Sequence, residues 1–416
     1  MQKWGFLANS RYLSRYADDI TFSTNTKGFP SNIAKQSQNE QHQWEVGDKL
    51  QDILTRTGFP LNPTKTRMQY CTSRQDVTGL VVNKKVNIRS EYRRTVRAMA
   101  DRLFKTGHYE HVQTIPQQDG VLASVKTEGT LPQLHGMLGH IWGIDIYNWR
   151  IRSGLETKHP VEDASKDDQK VLNSKERLYR RFLIYRNIYV AEIPTIICEG
   201  KTDNIYLLHA IRSLVGSFSA LASIVENQVK LNVRIFKYPQ TSTGRIMGLT
   251  GGTGPFLPFI QAYAKELTRF AAPGMQQPVI LLMDCDDGAS KVLAVLKNQF
   301  KKNTDAGQPF IHVCGNLYVV TTPLPSGKAS SFIEDCFKEE TKAVKIDGKM
   351  FKLDKAHGEN ENHYGKYIFA KHIEMHAATT DFSGFSELLS RIVAVIEAHK
   401  NFLFIPNLDQ EPLVPA

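Results

Sequence analysis

Four short apolar runs separated by helix-like stretches constrain the C-terminal half of this chain more tightly than any other feature. They are Ile193-Pro-Thr-Ile-Ile-Cys198, Val233-Arg-Ile-Phe-Lys-Tyr238, Pro278-Val-Ile-Leu-Leu-Met283 and Asn316-Leu-Tyr-Val-Val-Thr-Thr322. Runs this apolar read as strands buried on both faces, and helices between them point to a parallel sheet. In open α/β sheets, ligand sites form beyond the carboxyl ends of the strands. Here those ends carry acids: Glu199 follows the first run, and Asp284 and Asp286 follow the third.

The turn after the first run, Glu199-Gly-Lys-Thr-Asp203, opens a helix expected over Asn204 to Ser213, with Asp203 placed to cap it. Asp284 and Asp286, two positions apart, fall on one side of the strand end, where their oxygens suit Mg²⁺. Glu199 either completes that cluster or serves as a general acid/base. The glycine-rich stretch Thr243 to Gly254 fits neither a dinucleotide fingerprint nor a P-loop, and reads as a mobile loop beside the acids.

A second acidic feature lies near the N-terminus. Tyr16-Ala-Asp18-Asp19 sits between two β-prone runs, Arg11 to Tyr16 and Ile20 to Thr24. A tight hairpin turn would bring Asp18 and Asp19 together, where they repel unless a divalent cation bridges them to a ligand phosphate. The alternative is an ordinary Asp-Asp hairpin turn.

Beyond the hairpin come a helix-like stretch from about Gln41 to Thr57 and then a basic segment. From Lys84 to Lys105, the basic residues Lys84, Lys85, Arg89, Arg93, Arg94, Arg97, Arg102 and Lys105 face only the acids Glu91 and Asp101. Arg93, Arg94 and Arg97 share one helix face, while Tyr92, Val96, Met99 and Leu103 form a separate apolar stripe. Such a helix would pack on one side and meet phosphates on the other, with salt-dependent affinity; a solvated basic face is the alternative. The aromatic stretch Leu131 to Trp149, with His135 and His140, reads as core. Arg150 to about Arg186 is rich in charge and reads as a solvated interdomain connection.

The string Arg15-Tyr-Ala-Asp-Asp-Ile-Thr-Phe-Ser23 resembles the reverse transcriptases, their retron branch above all. Gly58-Phe-Pro-Leu-Asn-Pro-Thr-Lys65 resembles that family's next palm motif, which implies that Lys65 lies near an incoming triphosphate. Val77-Thr-Gly-Leu-Val-Val-Asn83 resembles the entry to the thumb in retron enzymes. The Glu-Gly-x-x-Asp turn with Asp284-x-Asp286 at a later strand end is similar to the Toprim domain of topoisomerases, primases and overcoming-lysogenization-defect nucleases. Ser331-Phe-Ile-Glu334-Asp335 resembles the acidic element such nucleases carry after the last strand. That implies a second-metal ligand in Glu334, against the alternative of an acid serving a helix dipole.

The two resemblances together imply α/β and α+β domains: a partial palm over 1–80, a helical thumb over 81–150, a connection over 151–190, and a Rossmann-like Toprim domain over 191–416. The implied functions are RNA-directed DNA synthesis with Asp18 and Asp19, and Mg²⁺-dependent phosphodiester cleavage with Glu199, Asp284 and Asp286, with Lys201 neutralising developing charge. Up to two ions per site are implied. The implied partners are a structured noncoding RNA, its branched RNA-DNA product and a nucleic-acid substrate of the Toprim domain, in defence against phage. Because no strand precedes the hairpin to offer a third carboxylate, the chain is expected to be the C-terminal part of a longer polymerase. A noncatalytic binding module, a stand-alone Toprim nuclease and a homo-oligomer stay open.

Composition agrees with a nucleic-acid partner without choosing among these readings: 416 residues carry a net charge of +10. No apolar run approaches a membrane span and no signal peptide is evident, so a cytoplasmic protein is expected. The five cysteines are scattered without a C-x-x-C pair, and read as reduced and mostly buried.

Overall fold

Three of the four apolar runs become interior strands of one sheet in the computed structural model, which describes residues 12–25, 28–37, 43–63, 65–116, 122–153, 172–238, 241–305, 308–352 and 362–403. Arg11 of the expected first strand and Gly154 to Val171 of the expected connection lie outside them. The chain is mixed α/β and divides into two compact units: Met1–Thr95 with Gly143–Lys158, and Val96–Trp142 with His159–Ala416.

The first unit begins with the antiparallel pair β1 (Tyr12–Tyr16) and β2 (Asp19–Ser23). Tyr16 faces Asp19, which leaves Ala17 and Asp18 as the turn. Ala17 adopts the left-handed conformation that a two-residue turn requires, φ 50°, and Arg15 Nε donates to its carbonyl at 2.7 Å. A second pair, β3 (Ala34–Gln36) and β4 (Trp44–Val46), leads into α1 (Asp48–Thr57). The expected helix over Gln41 to Thr57 therefore starts late: Gln41 and His42 lie outside the described residues, Trp44–Val46 are strand paired with β3, and Gly47 follows. A Cβ there would lie 2.4 Å from the backbone of Ser31 and Asn32, so the chain passes too close for any other residue. Leu50 and Leu54 of α1 bury against Ile33, and Gly58, at φ 72°, ends the helix. A three-stranded sheet of β5 (Asp76–Val77), β6 (Leu80–Val81) and β7 (Asn87–Ile88) then precedes α2 (Ser90–Thr106).

The second unit takes in the end of α2, the hairpin of β8 (Glu110–Pro116) and β9 (Leu122–Glu128), and the start of α3 (Leu131–Ser153). The division thus falls inside α2 and α3, not at residues 80 and 150. Next comes α4 (Ser174–Ile184), which runs into a π-helical turn over Tyr185–Tyr189. Here the expectation of a solvated connection fails. Tyr179, Phe182, Leu183, Ile184, Tyr185 and Ile188 are all buried. Charge on the outer face of α4 hides an apolar inner face, and Asn173 with Glu176 closes a capping box at its start. His135, half-buried, stacks on Phe182 at 6.1 Å, in line with its reading as core, whereas His140 and Tyr147 of the same stretch are exposed.

The sheet follows as β10 (Thr195–Cys198), α5 (Lys201–Ser213), a small hairpin of β11 (Ala222–Val225) and β12 (Gln228–Leu231), β13 (Arg234–Ile235), α6 (Ser242–Met247), α7 (Phe256–Leu267), β14 (Val279–Met283), α8 (Asp287–Asn298), β15 (Ile311–Cys314) and β16 (Leu317–Thr321). Its order is β13-β10-β14-β16-β15, parallel apart from β15 at one edge. The remainder is α9 (Glu339–Lys342), β17 (Met350–Phe351), β18 (His363–Tyr364), α10 (Lys366–Met375) and α11 (Ser386–Leu403). On one face Ile196, Cys198, Ile280, Leu282, Tyr318 and Val320 pack with α5, α10 and α11 in a single core. Their alternates Ile197, Leu281 and Val319 are equally buried, as parallel strands covered on both sides require. Each such side chain contributes about 1.5–3 kcal/mol of burial.

No helix among the described residues is long and apolar enough to cross a membrane. Cys198 and Cys314 are buried as expected, whereas Cys71 is exposed.

Candidate functional site

From β10 the chain moves to β13 on one side and then to β14 on the other, so the strand order reverses between β10 and β14. A crevice opens at such a switch point, beyond the carboxyl ends of the two strands. Glu199 follows β10 and Asp284 follows β14, which sets the two acids on its rims; Asp284 N–H donates to Glu199 Oε2 at 3.4 Å. Two hydrogen bonds, from Tyr238 O–H at 2.9 Å and from Gly252 N–H at 3.0 Å, hold the Glu199 carbonyl. The glycine-rich stretch is therefore attached to this end of the sheet beside the acids, but its first part, expected as loop, is helix α6.

Two further acids join them. Asp203, in the first turn of α5, accepts from Gly200 N–H at 2.8 Å and from Thr202 O–H at 3.2 Å. Glu334, in the 3₁₀ turn Ile333–Cys336, is fully buried. That turn also supplies Ile333 N–H, which donates to Asp284 Oδ1 at 2.9 Å. Lys366, the first residue of α10, enters from the far side: its Nζ lies 3.0 Å from Glu334 Oε2 and 3.9 Å from Asp284 Oδ2.

Electrostatics follow from this crowding. Burial pushes the Asp284 carboxyl up to about 8, Asp203, Glu334 and Glu199 push the same way, and Lys366 opposes them. Burial likewise raises Glu334 against the pull of Lys366. Burial works against the Lys366 ammonium, but Glu334 and Asp284 outweigh it and hold its pKa above the usual value.

Asp286, the other acid of the expected pair, opens α8. It stands at the N-cap of α8, where Oδ1 accepts from Gly288 and Ala289 N–H at 2.9 and 3.1 Å. The Asp286-Asp287-Gly288-Ala289 string already carries that helix-start signal. Gly288 is pressed close: a Cβ would lie 2.9 Å from Thr253 Oγ1 and 3.0 Å from Asp286 Oδ1.

Four carboxylates form a hard-oxygen donor set of the kind Mg²⁺ takes, and Glu334 Oε1 is buried without a hydrogen-bond partner. In chemistry the residues fit the ion. Their spacing is not that of a formed cage: among the described residues no three His, Cys, Asp or Glu side chains are gathered to hold a metal. Asp203, expected to cap a helix from Asn204, lies instead at the third position of a helix that starts at Lys201 with Gly200 as its N-cap, and it was missed as a member of the cluster; Lys366 had no sequence signal. Lys201 lies with its ammonium 4.9 Å from the Tyr367 ring centroid.

In the first unit, Asp18 in the hairpin turn and Asp19 at the start of β2 are both exposed. Lys65 is exposed in the loop after α1, its N–H bonded to the Asn62 carbonyl at 3.2 Å. Arg93, Arg94 and Arg97 lie exposed on α2, and Val96 and Leu103 are buried, as the periodicity requires. Arg89 is turned inward instead. Its Nη2 lies 3.5 Å from Asp76 Oδ2, which also meets Arg74 at 3.2 Å and Arg67 at 4.0 Å. Lys105 pairs with Asp101 at 2.8 Å, one turn away on α2.

No known protein family matches the chain, and no solved structure matches it.

Proposed function

We propose that the second unit is a Toprim-like module for Mg²⁺-dependent phosphodiester cleavage. The observation that carries this reading is the meeting of Glu199, Asp203, Asp284 and Glu334 at the switch point of a parallel sheet. When bound there, Mg²⁺ supplies charge neutralisation and activation of a water nucleophile. Glu199, Asp284 and Glu334 would hold it, with Asp203 setting the Glu-Gly turn. Ile333 N–H and Glu199 orient the Asp284 carboxylate and its backbone, so the reacting geometry belongs to rigid strand ends. Lys366 and Lys201 bring positive charge to an otherwise acidic crevice, as a phosphodiester requires. Asp286 serves the site indirectly by anchoring the start of α8.

The first unit, in the same proposal, contains the palm end of a retron reverse transcriptase, and the thumb over 81–150 includes α2, whose residues from Val96 on belong to the second unit. Asp18 and Asp19 would be two carboxylates of the polymerase centre, and Arg93, Arg94 and Arg97 would track the phosphates of an RNA-DNA product. The expected role is synthesis and retention of a branched RNA-DNA molecule in cytoplasmic phage defence, with the second unit as effector. Pairing of Lys366 with the acids also favours a second reading, a noncatalytic module that binds nucleic acid and assembles.

The two readings separate when purified protein is incubated with labelled RNA and DNA in Mg²⁺, beside Glu199→Ala. Cleavage lost in the variant while binding persists supports the nuclease. Binding without cleavage in both proteins supports the noncatalytic module.

A further inference from the structure

The two oxygens of Glu334 have different fates. Oε2 accepts from Lys366 Nζ at 3.0 Å, whereas Oε1 is buried and has no hydrogen-bond partner. The same ammonium reaches Asp284 Oδ2 at 3.9 Å and lies 5.4 Å from the Phe332 ring centroid. Its position is set by the core: Phe369, Ala370 and Ile373 bury α10 against α5, and Tyr206 O–H donates to the Lys366 carbonyl at 3.3 Å. The side chain is nonetheless 28% exposed, while that of Glu334 is 0% exposed. A cation mounted on a flexible stem thus has a way out, and the acid it covers does not.

We infer that Lys366 is a built-in counter-ion of this site, and that its ammonium and a divalent cation compete for Glu334 and Asp284. The inference rests on the proposed reading of the cluster as a divalent-cation site. The ammonium uses one oxygen of Glu334 and leaves the other unused. Loading a metal then means moving the lysine head toward solvent and gathering the carboxylates around the ion. Competition of this kind holds the apo cluster together without a metal and sets a threshold concentration for loading.

The test is calorimetric titration of Mn²⁺ into the full chain at fixed pH and ionic strength, with Lys366→Met, Lys366→Arg and Asp284→Asn beside the unaltered protein. Lys366→Met is expected to bind about tenfold more tightly, because a close competing charge is gone. Equal or weaker binding by that variant overturns the inference. Removing one partner of a buried pair can also unfold the protein; if Lys366→Met does not fold, Lys366→Arg decides. Its guanidinium can hold a carboxylate through two hydrogen bonds and is expected to weaken Mn²⁺ binding about threefold or more. Unchanged or tighter binding by Lys366→Arg overturns the inference. If the unaltered chain binds Mn²⁺ no better than Asp284→Asn, the metal-site reading itself fails. If Asp284→Asn loses binding while both lysine variants match the unaltered chain, only the competition fails.

Discussion

The two units each set acids side by side, and they do so in opposite surroundings. Asp18 in the two-residue turn and Asp19 at the start of β2 are both exposed, where water screens them. Glu199, Asp203, Asp284 and Glu334 are buried at the end of a five-stranded sheet, and the cost of burying them appears as a carboxyl raised to about 8. A pair in water can be tolerated by any turn. A buried cluster persists only if something offsets it, here the Lys366 ammonium and donated N–H groups. The lesson is that acidic motifs of similar appearance differ in what the fold invests in them.

The largest effect is expected on removing the acids from each unit. Asp284→Ala is expected to lower Mg²⁺-dependent cleavage by about a thousandfold or more, the scale of losing a central catalytic group. Asp18→Ala with Asp19→Ala should leave that cleavage unchanged, as read from product formation on a labelled strand. Equal losses in both would mean that the units share one site.

A smaller effect is expected on stability. Folded Asp284 titrates near 8 instead of at its ordinary 3.8, so between those values the folded chain binds a proton that the unfolded chain has released. The sign is then fixed: metal-free stability is highest at the acid end of this window and falls, by a few kcal/mol in total, as pH rises from about 4 to 8. Thermal melts should show this slope, Asp284→Asn should flatten it, and Mg²⁺ should reverse it. His312 and His399, which flank Tyr318, act the other way. Burial lowers both, so their share of stability is lost as pH falls below the ordinary histidine value of 6.5.

Sequence and structure agree where local pattern suffices. β10, β14 and β16 were legible because strands buried on both faces are apolar without interruption, and Glu199 and Asp284 followed directly from their ends. The Tyr16-Asp19 hairpin was legible because a turn flanked by β-prone runs is a local event. Reading failed where tertiary contacts decide. Nothing distinguishes Lys366 from other helix-start lysines until α10 packs on α5. The apolar face of α4 was masked by its Lys, Arg and Glu residues, and Asp76 gives no local sign that three arginines converge on it.

That arginine node sharpens the comparison further. Asp76→Ala would leave Arg67, Arg74 and Arg89 without their shared carboxylate, and is expected to cost about 1–3 kcal/mol, measured by denaturant unfolding followed at the first unit. The smallest effect concerns α2. Replacing Arg93, Arg94 or Arg97 singly by Ala should weaken RNA-DNA binding severalfold and lower the slope of log affinity against log salt by about 1, if each meets a phosphate. An unchanged slope would make α2 a solvated basic face.

The most direct measurement is to map where a divalent ion sits. Fe²⁺ substituted for Mg²⁺, with ascorbate and peroxide, cuts the backbone near the ion, and the fragments locate it. Cuts are expected close to Glu199, Asp284 and Glu334, suppressed by excess Mg²⁺ and absent in Asp284→Ala. Cuts confined to the Asp18-Asp19 hairpin, or cuts near Asp284 that survive Asp284→Ala, would contradict that expectation.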